Sequence, residues 1–450
     1  WGSMADGVVD LAPIAADVDS GVTDQVLAAK AAIIAGDLHP FTGPLYNQAG
    51  NQVLGAGEVM DDGTMLGMSF FVYGVIGSTG AEEEAAARDL SGFTVVSEIV
   101  QGYVDDHGLN GASLIVVDRD AGVLYQEHSG ELGPGRITMI GPLAEMISVG
   151  VVLGLHEDGL LDVDAPVADV VAWGSGNPEV TLAQLLSHSS GMVGGLPSQF
   201  YAPYTCSVMF VGSLQGCGET IFTTPDDDAD LVPPDTNFGW PATGADYQVA
   251  GAVAEVASGK TWAELVDETY APCGLEVLAY NNPWFQLPFD PATFAYPSAA
   301  FDGDPSTLAP TENPSIEAGA YTTPDDYAAL LLMHLRDGMC GDQRVLSTES
   351  LERMHEDRIA RVYDGGNPAF DPETGDATGE VWGYGMGFMM DRDVGNGRPG
   401  MATPFGQQVW MDLDTGYAAL LILEASFPDA LALYDLVPDA LHEAVLTARG

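Results

Sequence analysis

An apolar hairpin that hands over to an apolar helix constrains this chain more than any other stretch. Ala112-Ser113-Leu114-Ile115-Val116-Val117-Asp118 and Gly122-Val123-Leu124-Tyr125 read as its two strands, with the turn at Asp120-Ala121-Gly122. Residues 142–158 then read as a helix ended by Gly159. The pattern predicts a sheet packed by helices. At 450 residues the chain is long enough for two or three domains around a large core.

Acidic residues outnumber basic ones 66 to 13, for a formal charge of -53. They are scattered, the longest runs being Glu82-Glu83-Glu84 and Asp226-Asp227-Asp228, so the acidity belongs to a solvated surface and not to a tail. Such a surface repels nucleic acid and anionic membrane, and it suits work in high salt, where self-repulsion is screened. No phosphate-cradling loop or basic patch is present in the sequence. Nor does any apolar run reach the roughly 18 residues of a membrane span. Nothing at the start resembles a signal peptide, which places any export signal upstream of Trp1 or among residues already removed. The four cysteines, Cys206, Cys217, Cys273 and Cys340, lack metal-ligand spacing and predict two disulfides in an oxidising compartment, Cys206 with Cys217 being the favoured pair. Buried free thiols are the alternative.

Ahead of the hairpin, Thr23 to Ala35 reads as a short helix capped by Thr23 and stopped at Gly36. Residues 39–60 read as a second hairpin, with Asn47-Gln48-Ala49-Gly50 as its turn, and the apolar stretch Met65 to Ile76 follows. Three of these stretches, Gly7 to Pro13, Ile34-Ala35-Gly36-Asp37-Leu38-His39-Pro40-Phe41-Thr42-Gly43-Pro44-Leu45 and Met68 to Gly77, resemble the C-terminal end of the basic membrane lipoprotein family. Those proteins are receptors for nucleosides with a two-lobed cleft. A segment this short cannot close such a cleft, so nucleoside binding is not expected to carry over. Residues 1–77 are expected to dock on the rest of the chain or on another copy. Residues 78–92 read as a linker.

The remainder carries a second resemblance. Gly159 to Val167, Leu185-Leu186-Ser187-His188-Ser189-Ser190-Gly191-Met192, Pro234-Asp235-Thr236, Gly251 to Gly259, Pro272-Cys273-Gly274-Leu275, and Gly319 to Asp326 leading into an amphipathic helix through Leu335 follow the hairpin in order. Together they resemble the serine β-lactamase and D-alanyl-D-alanine peptidase family, in its class C and esterase branch. The resemblance implies, for residues 93–450, an α/β fold: an antiparallel sheet flanked by helices, with an inserted helical lobe at about residues 150–290.

It also implies chemistry that this chain lacks. In the family a serine at the start of a buried helix attacks a carbonyl, and a lysine one turn later takes its proton. A Tyr-x-Asn motif relays the proton, and a His-x-Gly or Lys-Thr-Gly strand positions substrate beside the oxyanion hole. Here only two lysines exist, Lys30 and Lys260, and neither stands three residues after a serine. The serine and lysine positions fall on Pro142 and Glu145, in Ile140-Gly141-Pro142-Leu143-Ala144-Glu145. Phe238-Gly239-Trp240-Pro241-Ala242 stands in place of the tyrosine motif, and Arg398-Pro399-Gly400 in place of the third. Tyr280-Asn281-Asn282 and His128-Ser129-Gly130 lie in the wrong order and read as chance matches. Ser148 reads as packing and His188 as part of a structural turn. Asp391, Asp393 and Asn396, like Asp371 to Glu380, lack the spacing of a calcium loop. No cofactor and no metal is expected.

The expectation for function is therefore a catalytically inactive scaffold, used outside the cytoplasm for binding or assembly through self-association or another extracellular protein. One alternative is an atypical esterase or amidase with Glu145 as a general base on water; another is a receptor that keeps the relic pocket. Glu145 is expected to pair with Arg398 across a cleft narrowed by Trp240.

Overall fold

The computed structural model describes residues 20–36, 38–39, 41–46, 52–55, 57–60, 88–192, 202–224, 233–235, 245–283, 286, 305–359, 367–370, 377–391, 399–402, 406–425, 432–434 and 436–450. Two compact units are present, residues 1–89 with 449–450 and residues 90–448.

In the first unit, helix α1 spans Ser20–Ala35 and ends at Gly36, whose φ of 77° is the left-handed turn that glycine tolerates. It starts at Ser20, so Thr23 lies inside the helix and does not cap it. Strands β1 (Leu45–Tyr46) and β2 (Gln52–Leu54) pair antiparallel, Leu45 opposite Leu54. The hairpin is thus where the pattern placed it; its turn at 47–50 and the stretch from Met65 to Ile76 lie outside the described residues. Gly43 lets the arms touch, since a Cβ there would sit 1.9 Å from the Gly55 carbonyl oxygen.

The second unit opens with α2 (Phe93–His107), whose buried Phe93, Val96, Val100 and Val104 recur at helical spacing on one face. Strands β3 (Gly111–Asp118) and β4 (Gly122–Gly130) form the predicted hairpin. Asp118 Oδ1 pins its turn by accepting from the N–H groups of Asp120 and Ala121, both at 2.9 Å. After β5 (Thr138–Met139), the helix expected over 142–158 forms as a tight turn at Gly141–Leu143 followed by α3 (Ala144–Glu157). Helices α4 (Leu182–Leu186), α5 (Leu214–Phe222), α6 (Ala245–Ser258) and α7 (Trp262–Tyr270) follow. Next come β6 (Leu278–Tyr280), β7 (Ala320–Thr322), α8 (Pro324–Leu335), β8 (Met339–Cys340), β9 (Gln343–Arg344) and α9 (Thr348–His355). The remaining strands are β10 (Asn367–Phe370), β11 (Ala377–Tyr384), β12 (Met389–Asp391), β13 (Pro399–Ala402), β14 (Gln408–Asp412) and β15 (Tyr417–Ile422), before α10 (Pro438–Arg449).

Eight of these strands form one antiparallel sheet in the order β10-β11-β12-β13-β14-β15-β3-β4. Strands β14, β15 and β3 are buried on both faces, and the period of two sorts their side chains between two cores. Ile115, Val117, Ala418, Leu420 and Ile422 point into the larger core with residues of α3, α6 and α8. Leu114, Val116, Ala419 and Leu421 point into the other, with α2 and α10. Every residue of β3 is buried as a result, which is why it reads as a continuous apolar run. Cys206 pairs with Cys217 as favoured, and Cys273 with Cys340; no described cysteine is free. No described helix is long and apolar enough to cross a membrane.

Candidate functional site

The start of α3 organises the site. Pro142 occupies the first turn, where its missing N–H would be unpaired in any case. Ala144 and Glu145 follow at the head of the helix, where a carboxylate is favoured by the unpaired N–H groups and the helix dipole. Glu145 is 0% exposed. A carboxylate so buried needs partners, and they arrive from distant segments.

Tyr384, at the end of β11, donates a hydrogen bond to Glu145 Oε2. The β11–β12 turn is pressed onto the helix: Gly387 has φ of 79°, and a Cβ there would lie 3.0 Å from the backbone of Glu145 and Met146. His188 comes from the loop after α4, a short helix closed at its N-terminus by a Thr181–Gln184 capping box. Its backbone is left-handed, with φ of 50°. That conformation turns the ring between two carboxylates, with Nε2 3.7 Å from Glu145 Oε2 and Nδ1 3.8 Å from Asp246 Oδ2. Asp246 Oδ1 in turn accepts from Ser190 Oγ at 2.8 Å. Tyr247 and Tyr384 flank the imidazole, their ring centroids 5.1 and 5.4 Å away. Glu317 completes the group: one donor atom from each of Glu145, His188 and Glu317 lies within 4.8 Å of the others.

Electrostatics follow from burial. Desolvation alone would lower the His188 pKa, but the carboxylates of Asp246 and Glu145 outweigh it and push the value up to about 10. Burial, reinforced by the charge of Glu145, holds the Tyr384 and Tyr247 hydroxyls well above the ordinary phenol range. Both tyrosines are therefore neutral donors and not phenolate bases. Tyr247 donates to the Leu186 carbonyl at 3.0 Å, and Tyr327 to that of Leu143 at 3.1 Å.

The residues singled out in the sequence divide accordingly. Pro142 and Glu145 stand together at the head of α3, and Gly400 lies in β13 opposite Trp410. Trp240, Ala242 and Arg398 lie outside the described residues, and with them the expected Glu145–Arg398 pair. Among the described residues Glu145 meets Tyr384 and His188 instead. Ser148 donates to the Ile316 carbonyl at 2.6 Å and meets the Tyr280 hydroxyl at 2.9 Å. Tyr280 also reaches the Ala144 carbonyl, at 3.1 Å, which ties β6 to the helix backbone. His128 contacts Ser113 across the β3–β4 hairpin at 2.8 Å. Asp393 and Asn396 fall outside the described residues, as do residues 371–376. His188 is the residue that sequence reasoning placed in a turn and left there; Tyr384, Asp246 and Glu317 were not singled out at all.

A protein-family model described as Beta-lactamase matches residues 96–442. The chain belongs to the Beta-lactamase family. Its curated relatives include Penicillin-binding protein 4 of Amycolatopsis lactamdurans, 28% identical over 280 residues that cover 58% of this chain and 68% of the relative. Among solved structures, a putative β-lactamase from Bacteroides dorei superposes with a TM-score of 0.59 at 21% identity, covering 79% of this chain and 99% of the other, which shows the shared fold. A third similarity is of another kind: a stretch of 75 residues is 43% identical to the purine-binding protein BAB2_0673 of Brucella abortus, covering 17% of this chain and only 21% of that protein. Within the Beta-lactamase family, the head of α3 is the place where the resemblance puts the Ser-x-x-Lys pair. In this member it holds a proline and a buried, hydrogen-bonded glutamate.

Proposed function

We propose that this member of the Beta-lactamase family is catalytically degenerate, a scaffold that binds or assembles and does not acylate. One observation carries the reading: the helix head that should present a nucleophile and its base presents Pro142 and Glu145, and Glu145 is fully buried and tied to Tyr384 and His188. Proline supplies no nucleophile. A glutamate that serves as general base needs water within hydrogen-bond reach, and at 0% exposure Glu145 gives little support to the esterase alternative. The measurement is turnover of a nitrophenyl ester and a chromogenic cephalosporin. Rates at buffer background are expected, whereas saturable turnover lost in Glu145→Gln would favour the enzyme.

The two disulfides support a site of action outside the cytoplasm, where thiols are oxidised. The match to a purine-binding protein supports the reading of residues 1–77 as receptor-derived, although one fifth of a receptor is too little for its cleft. The segment then serves contact and self-association. Deleting residues 1–80 should lower the number of chains per particle seen by light scattering at matched concentration; an unchanged number would remove this part of the reading.

A further inference from the structure

Beside the degenerate helix head lies a set of side chains with a different chemistry. We propose that Glu145, His188 and Glu317 form a site for one divalent transition-metal ion, zinc being the class that fits a single imidazole and two carboxylates. Their donor atoms lie within 4.8 Å of one another. Nitrogen and oxygen ligands hold zinc tetrahedrally at about 2.0–2.2 Å, so two donors of one ion stand about 3.4 Å apart. The cluster therefore needs to close by up to about 1.4 Å at its widest pair. Glu145 and His188 already stand 3.7 Å apart.

Two further observations point to a cation. Glu145 is fully buried, yet its Oε1 has no hydrogen-bond partner among the described residues, because Tyr384 serves Oε2. A buried carboxylate oxygen left without a donor is costly, and a cation satisfies it. His188, moreover, is built in the manner of a metal ligand. Its Nδ1 faces the Asp246 carboxylate, which Ser190 holds, while Nε2 faces the proposed ion. A carboxylate behind the distal nitrogen fixes the ring and raises its basicity as a ligand. The imidazole also decides the metal class, since magnesium and calcium take oxygen donors. Binding here stands apart from serine chemistry, so neither result below bears on whether the chain acylates.

The test uses the full chain stripped with EDTA and titrated calorimetrically with zinc chloride in about 1 M sodium chloride, where the Debye length of about 3 Å screens the acidic surface. One tight equivalent is expected. His188→Ala should weaken it at least 100-fold and Glu317→Gln at least tenfold, while Glu98→Gln, on the exposed face of α2, leaves it unchanged. Cobalt(II) at the same site should give visible d–d absorption that His188→Ala abolishes. Only weak, multiple binding, or a tight equivalent that persists in His188→Ala, overturns the proposal. If circular dichroism shows that His188→Ala does not fold, an unchanged affinity in Glu317→Gln overturns it instead.

Discussion

Histidines withdrawn wholly or partly from solvent divide into two kinds here, according to what stands beside the ring. His188 sits between carboxylates and is held protonated, with its pKa near 10 in the metal-free chain. His334 and His355 meet each other and Phe388, at centroid distances of 5.1–5.7 Å, and among the described residues no carboxylate offsets burial. Desolvation lowers both, His355 to about 4 and His334 well below its ordinary value. In the unfolded chain both titrate near the ordinary value of about 6.5. Unfolded chains thus bind protons first as pH falls, and stability is lost from about pH 6.5 down towards 4. His355 is partly exposed, so solvent screening reduces its share of this loss. Urea midpoints measured at pH 7 and pH 5 should separate by less in His334→Leu than in the parent. An equal separation would mean that other groups govern the acid limb.

Among the elements, those that carry a local period were legible before the fold was seen. The β3–β4 hairpin, α3 and α8 through Leu335 stand where the pattern put them, because a period of two, a turn residue and an apolar helix are written in neighbouring residues. The favoured Cys206–Cys217 pair was legible for the same reason, its partners being 11 positions apart. The site was only half legible. Pro142 and Glu145 follow from counting along one helix, but Tyr384 lies 239 residues from Glu145 and reaches it only because the sheet folds back. His188 was missed because nothing local marks a left-handed histidine between two acids. Loop length also sets what each disulfide contributes: with a sequence separation of 67, Cys273–Cys340 restrains the unfolded chain by about 4 kcal/mol, against about 3 kcal/mol for Cys206–Cys217. Calorimetry should therefore show a larger fall in melting temperature for Cys273→Ser/Cys340→Ser than for Cys206→Ser/Cys217→Ser. The reverse order would mean that local strain outweighs chain entropy.

Across the whole molecule, charge and catalysis give the broadest tests. A formal charge of -53 makes the folded state repel itself, and the repulsion reaches far at low ionic strength, where the Debye length is about 30 Å at 0.01 M. Melting temperature should rise with sodium chloride up to about 1 M; a flat or falling curve would remove the case for life in high salt. The proposed loss of covalent chemistry from a Beta-lactamase family fold belongs to the head of α3. Intact-mass spectrometry after prolonged incubation with benzylpenicillin and with a fluorophosphonate is the sharpest test, because acylation by the first or phosphonylation by the second leaves a countable mass on a serine. An unshifted mass is expected with both reagents, whereas a stoichiometric adduct on any serine would mean that the covalent chemistry survives.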